Sequence, residues 1–131
     1  MPGIKLLVSA FLAVALGLSS VAQARQMQVQ DAAVGTHIAQ RSAQGTADQF
    51  PSSVGQLYAF TRIVGGAPGS YVTHKWYYGQ QLMAEVRLRV GADSWRTWSS
   101  KKVMDEWTGQ WRVEIVADDG TTLDSITFFV G

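Results

Sequence analysis

Hydrophobic and polar side chains alternate along most of the chain after residue 55, in short runs separated by glycine-containing turns. An alternation with period two predicts β-strands, because successive side chains of a strand point to opposite faces. The most regular run is Gln81 to Val90. Its predicted inward residues are Leu82, Ala84, Val86, Leu88 and Val90, and its predicted outward residues are Met83, Glu85, Arg87 and Arg89.

The same alternation recurs in the segments 56–64, 71–78, 110–117 and 123–130. An Asp-Gly hairpin turn, Asp118-Asp119-Gly120, connects the last two segments. In the first, third and fourth segments, the predicted inward residues are Leu57, Ala59, Thr61, Ile63, Trp111, Val113, Ile115, Ile126, Phe128 and Val130. No long amphipathic helix is predicted among these segments. We therefore expect an all-β fold, an immunoglobulin-like antiparallel β-sandwich of about seven strands.

The first 24 residues have a different pattern, that of a secretory signal peptide. Lys5 is followed by a nearly unbroken apolar run over 6–18 and by an Ala-x-Ala sequence that ends at Ala24. We expect this segment to form a helical signal peptide that is cleaved after Ala24. An uncleaved membrane anchor is the alternative, but the run is shorter than the about 20 residues that span a bilayer. The mature protein is therefore expected to have no stable membrane span and to be periplasmic or secreted.

Residues 25–49 are rich in Gln, Ala, Thr and Ser and contain no aromatic residue. Such a composition predicts a flexible N-terminal arm, with a first strand over 29–38 as the alternative. The segment from Arg41 to Ser53 is predicted to be a loop, and the β-sandwich domain is expected over 50–131.

Charge and composition argue against several classes of function. The chain has 11 Lys and Arg against 10 Asp and Glu, and the numbers become equal when Lys5 is removed with the signal. A neutral protein is not expected to bind nucleic acid or an anionic membrane through bulk electrostatics. The chain has no cysteine, which excludes disulfides and thiolate metal sites. Because the two histidines, His37 and His74, are far apart in sequence, we expect no metal ion and no cofactor.

The candidate chemistry is concentrated in the sequence WRTWSSKK, from Trp95 to Lys102. Its tryptophans and cations are typical of a recognition surface, since Trp offers a flat apolar face and Arg a planar group that binds carboxylates. The structural alternative is a strand in which Trp95 and Trp98 point to opposite sides, so that at least one of them belongs to the core.

His74 and Trp76 are predicted to share one side of their strand. A catalytic histidine needs a nucleophile or a carboxylate within hydrogen-bond reach, and no nucleophile elbow or ordered triad is present in the sequence. We therefore expect no enzyme activity. The site hypothesis is that five residues from neighbouring strands converge on one ligand-binding patch. They are His74, Trp76, Arg96, Trp98 and Lys101.

Several motifs give the chain a family resemblance that extends from about Val29 to Val130. The motifs are LYAFTRI at 57–63, His74-x-Trp76-Tyr77, Arg96-Thr97-Trp98-Ser99-Ser100-Lys101, Gly109-x-Trp111-Arg112-Val113-Glu114 and the ending Asp119-Gly120…Leu123…Phe128-x-Val130. Together they resemble an exported bacterial family known as domain of unknown function 2914 (DUF2914). The resemblance implies an extracytoplasmic β-sandwich module, and it implies no activity.

The expected function is that of an exported, non-enzymatic binding module whose partner is a protein of the bacterial envelope. Exposed aromatic and arginine side chains are typical anchors of protein interfaces. One alternative is a structural subunit of an envelope assembly, in which the arm at 25–49 adds a strand to a neighbour. The other is a glycan-binding module, which would need parallel exposed tryptophans on one face.

Overall fold

The computed structural model describes residues 26–131, which form ten β-strands and one short 3-10 turn at Ser52–Val54. The predicted signal peptide at 1–24 lies outside the described residues. The strands are β1 (Gln28–Gly35), β2 (His37–Ala39), β3 (Ser42–Gln44), β4 (Gln49–Phe50), β5 (Gln56–Val64), β6 (Ser70–Tyr78), β7 (Gln81–Val90), β8 (Ser94–Lys102), β9 (Gly109–Ala117) and β10 (Thr122–Val130).

Two sheets form a β-sandwich. The first sheet has three strands in the order β1-β5-β8, and the second has five in the order β4-β10-β9-β6-β7. All pairings in these sheets are antiparallel except that of β4 with β10, which is parallel. The chain changes sheets between β5 and β6, between β7 and β8 and between β8 and β9, and it ends in the β9–β10 hairpin. This is the connectivity of an immunoglobulin-like sandwich, so the predicted fold class is confirmed.

The core lies between the two sheets, and the alternation predicted it well. The predicted inward residues of β5 and β9 are all buried, as are Phe128 and Val130 of β10, while Ile126 is half-buried. Trp111 lies at the centre, stacked on Phe128 with 6.1 Å between ring centroids. Trp76 packs edge-on against the same Phe128 ring at 6.3 Å. Burial of these large rings removes much apolar surface from water and supplies the main stabilisation of a domain that has no disulfide.

The predicted inward face of β7 is wrong at its beginning. Leu82 is 45% exposed, whereas Met83 and Ala84 both pack against the core. The cause is a β-bulge, because Trp76 pairs with Ala84 while the next residue, Tyr77, pairs with Leu82. Met83 is the extra residue of the bulge, and the alternation of side chains therefore changes phase at this point.

The segment before residue 50 contains several strands. β1 pairs antiparallel with β5, with one irregularity between Val29 and Asp31. β2 and β3 form a separate hairpin, and β4 pairs with the end of β10. The interpretation of Arg41 to Ser53 as a loop is therefore wrong, since β3, β4 and the beginning of the 3-10 turn lie within it. Short polar strands such as SAQ at 42–44 lack the β-branched and aromatic residues by which strands are recognised in a sequence.

The β2–β3 hairpin forms a small third layer. Phe60 points to the outer side of the first sheet, opposite to the core residues of β5, yet it is only 4% exposed and belongs to neither core cluster. Both β2 and β3 contact β5, and we infer that the hairpin contributes to the burial of Phe60. The two residues at the tip of the hairpin, Gln40 and Arg41, have φ of 52° and 59°. A turn with two positive φ values prefers Asn and Gly, so this turn is strained.

Candidate functional site

The most organised group of polar side chains is buried between the two sheets. His74 of β6 is fully buried, as are Trp76 of β6 and Thr61 of β5, and Ser99 of β8 is almost fully buried. His74 Nδ1 lies 2.7 Å from Ser99 Oγ, and His74 Nε2 lies 3.1 Å from Thr61 Oγ1. Trp76 Nε1 donates to Ser99 Oγ at 3.1 Å, and Thr61 Oγ1 donates to the carbonyl oxygen of Thr97 at 3.4 Å. We call this group the interior network; it joins β6 of the second sheet to β5 and β8 of the first.

The chemistry of the end groups favours one set of bond directions in the interior network. An indole N–H only donates, a backbone carbonyl only accepts, and a hydroxyl donates one bond while accepting up to two. Ser99 accepts from Trp76, and within this group the acceptor for its own proton is His74 Nδ1. His74 then donates from Nε2 to Thr61, which donates to the Thr97 carbonyl. In the opposite tautomer the Ser99 proton would have no acceptor within this group, which favours the neutral His74 tautomer with its proton on Nε2.

Burial also lowers the pKa of His74 to about 4, since the apolar interior disfavours the charged imidazolium. The distance between His74 and Ser99 is that of a base and its nucleophile. However, neither side chain is accessible, and the Ser99 hydroxyl already accepts a bond from Trp76. All buried side-chain polar atoms of the described residues have a hydrogen-bond partner. The members of the interior network therefore bond to one another, and these bonds connect the two sheets.

The structure does not bring the five predicted site residues together. His74 and Trp76 are fully buried in the core and cannot contact an external ligand. Arg96 and Trp98 point to the opposite side of β8, on the outer face of the first sheet, and both are half-buried. Lys101 lies on the inner side at the end of β8, with its Nζ 5.1 Å from the Trp107 ring centroid. The hypothesis of one converged patch is therefore wrong.

The sequence WRTWSSKK forms most of β8, and its two tryptophans do point to opposite sides. Trp95 packs against the core cluster that contains Ile63. A Cβ atom on Gly91 would lie 2.8 Å from the Trp95 ring, so the ring requires glycine at that position. On the outer side, Trp98 pairs with Phe60 and Arg96 pairs with Arg62.

A group of solvent-accessible side chains lies on the outer face of the five-stranded sheet. Tyr77 of β6 is flanked in register by Leu82 of β7 and Arg112 of β9. The Arg112 guanidinium carbon lies 4.2 Å from the Tyr77 ring centroid, and its Nε is 3.0 Å from Glu114 Oε2. Phe129 of β10 points to the same side and is 43% exposed. We call Tyr77, Leu82, Arg112 and Phe129 the Tyr77 patch.

In the Asp118-Asp119-Gly120 turn, an Asp side chain hydrogen-bonds the backbone of the turn, as Asp commonly does. Asp119 Oδ1 accepts a hydrogen bond from the Thr121 amide at 2.9 Å, and this bond lowers the pKa of the Asp119 carboxyl. Within residues 26–131 no three His, Asp or Glu side chains are grouped closely enough to hold a metal ion. In the same range, no helix has the length and hydropathy needed to cross a membrane.

The sequence contained a signal for the interior network that composition alone does not give. Thr61 is a polar residue at a predicted inward position, and His74 and Ser99 are polar residues that share a side of their strands with Trp76 and Trp95, respectively. Buried polar groups must find hydrogen-bond partners, so three such residues on strands that face one another indicate mutual bonding. The Tyr77 patch had no such signal, because the bulge at Met83 exposes Leu82 against the alternation.

Fold and interior together define an all-β, immunoglobulin-like sandwich domain whose sheets are joined by a buried polar network. Residues 69–130, which include β6 to β10, match the family model described as "Protein of unknown function (DUF2914)". The match confirms the predicted family over the motifs from His74 to Val130, while LYAFTRI at 57–63 precedes the matched residues. No curated protein matches the chain.

Proposed function

We propose that this chain is an exported, non-enzymatic module that binds a protein partner in the bacterial envelope, and that the Tyr77 patch is its contact surface. One observation carries the proposal. Leu82 and Phe129, two large hydrophobic side chains exposed by more than 40%, lie on the same sheet face as the stacked pair Tyr77 and Arg112. Tyr and Arg are enriched among residues that dominate interface energies, and the contacts that surround such residues in a complex exclude water from them.

The arrangement supports a rigid contact surface. Tyr77 and Arg112 are both held on strands inside the five-stranded sheet, and Glu114 fixes the guanidinium of Arg112. A surface whose side chains are already positioned loses little conformational entropy when a partner binds. A protein partner with an apolar side chain between Leu82 and Tyr77 and a carboxylate beside Arg112 would fit this chemistry.

The interior network supports a non-enzymatic role, because its only histidine is enclosed and weakly basic. The glycan alternative receives no support from the tryptophans. Trp76 and Trp111 are buried, Trp95 and Trp98 point to opposite sides of β8, and Trp107 packs at 6.3 Å from Trp111. Strand donation by the arm at 25–49 receives little support as well, since β1 already pairs with β5 of the same chain.

The test is site-specific photo-crosslinking in envelope extract. A crosslinking residue replaces Leu82 in one variant and Thr121, in the exposed β9–β10 turn, in the control. We expect one protein to be crosslinked from position 82 alone, and the substitution Phe129→Asp to abolish that product. Identical products from both positions, or a product that survives Phe129→Asp, would contradict the proposal.

A further inference from the structure

Four strands form the edges of the two sheets, and β8 is one of them. β1 and β8 are the edges of the first sheet, and β4 and β7 are the edges of the second. An edge strand has unpaired backbone N–H and C=O groups that can pair with another chain, and proteins usually protect such edges with bulges, prolines or short strands. β1 and β7 each have a bulge, and β4 has only two residues.

β8 differs from the other three edges in its regularity. It pairs with β5 over nine consecutive residues, Ser94 to Lys102, without a register shift. It contains neither proline nor glycine. Among residues 26–131, β5 is the strand that pairs with it, so alternate backbone groups on its other side have no strand partner. A long edge that is not interrupted by a bulge is suited to accept an added strand.

The side chains of β8 determine which strand would be accepted. The strand carries Arg96, Lys101 and Lys102 and no carboxylate. No carboxylate of the described residues forms an ion pair with any of the three. Arg62 lies directly opposite Arg96 on β5, and its guanidinium donates to the Ser94 hydroxyl at 3.3 Å. On its other side Arg62 has Asp31 of β1 as its register partner, whereas Arg96 lies on the sheet edge. A carboxylate placed beside Arg96 would relieve its repulsion with Arg62.

The same charges decide against a second copy of this chain as the added strand. Two β8 strands side by side would bring six cations together without a compensating carboxylate, and this repulsion opposes self-association. An acidic strand would instead be attracted. On the outer face, its carboxylate would lie beside Arg96, and an apolar or aromatic residue two positions away would lie beside Trp98, because same-face residues of a strand are two apart.

We propose that the free edge of β8 is a β-augmentation site for an extended acidic segment of a partner protein. The segment adds a fourth strand to the first sheet, pairs its backbone with β8 and places a carboxylate beside Arg96. This proposal is independent of the Tyr77 patch, which lies on the outer face of the other sheet. The two proposals therefore succeed or fail separately.

The experiment is selection of random 12-residue peptides displayed on phage against the immobilised protein. Enriched peptides are expected to contain Asp or Glu two positions from an apolar or aromatic residue. Bound to the protein, they should slow hydrogen exchange of amides in β8 and leave those of β7 and β1 unchanged. Peptides without acidic enrichment, protection of another edge, or no enrichment above background would each overturn the proposal.

Two charge variants complete the experiment. Arg96→Glu is expected to weaken binding of a selected acidic peptide at least tenfold, whereas Arg89→Glu, the same charge change on the β7 edge, should change it less than twofold. Arg96→Gln removes the charge without reversing it and replaces Arg96→Glu if that variant misfolds. It should weaken peptide binding by an intermediate factor. Equal losses of peptide binding for the Arg96 and Arg89 variants would show that only net charge matters and would overturn the proposal that β8 is the binding site.

Discussion

Acid should destabilise this protein through one buried histidine. His74 is fully buried, and burial lowers its pKa from 6.5 to about 4. Between these values the unfolded chain binds a proton that the folded protein does not. The free energy of unfolding therefore rises with pH across this window. The contribution of His74 to stability is fully present above about pH 6.5 and is lost as the pH falls towards 4.

The size of the effect follows from the shift. One pKa unit corresponds to about 1.4 kcal/mol, so the shift of His74 corresponds to about 3 kcal/mol of stability lost on acidification. This is a large fraction of the 5–15 kcal/mol that is typical of a folded domain. The interior network adds no compensation, because both ring nitrogens of His74 contact hydroxyl groups and neither contacts a carboxylate.

The assay is urea denaturation at a series of pH values from 4 to 7. The wild-type protein should lose about 3 kcal/mol of unfolding free energy across the series. His74→Gln should be less stable at pH 7 and should lose much less on acidification. His37→Gln, which removes the exposed histidine, serves as the matched control and should keep the wild-type slope.

The result that would refute the reasoning is equal pH dependence in the wild type and in His74→Gln. If His74→Gln does not fold, an NMR titration of the wild-type His74 ring replaces it. An apparent pKa near 6.5 in the folded state would then contradict the burial argument.

Three further predictions follow from the core. Ser99→Ala should lower the free energy of unfolding by about 2–4 kcal/mol, measured by urea denaturation, because it leaves buried groups of Trp76 and His74 without their partner; wild-type stability would contradict this. A long-range ¹⁵N–¹H correlation spectrum should show the His74 proton on Nε2, and a proton on Nδ1 would reverse the derived bond directions. Met83→Ser should lower the free energy of unfolding by about 1–3 kcal/mol and Leu82→Ser by less than about 1 kcal/mol, measured by thermal unfolding. The opposite ranking would contradict the position of the bulge.

The strand pattern was largely predictable, because inward residues of β5, β9 and β10 follow an unbroken period of two. The phase change in β7 was not. A bulge adds one residue to a strand, and nothing in the sequence around Met83 distinguishes that residue from its neighbours. The hairpin β2–β3 was missed for another reason, since its short polar strands depend on contacts with β5 and not on local propensity.

The candidate site was predictable only in part. That His74 and Trp76 share a side followed from their spacing, but whether the side faced the core or solvent depended on the sheet against which β6 packs. Arg96 and Trp98 were correctly placed on one side of their strand. They are separated from His74 because they lie on the outer side of β8, whereas Ser99 on the inner side of the same strand contacts His74.

The β2–β3 hairpin has a consequence for motion within the folded state. It is a two-stranded unit of short strands with a strained turn at Gln40 and Arg41, and it lies outside the two core clusters. Such units open locally at a small fraction of the free energy needed for global unfolding. Each opening would uncover Phe60 while the sandwich stays intact. The folded protein is therefore expected to exist as two exchanging forms, one of which presents an aromatic ring that the other conceals.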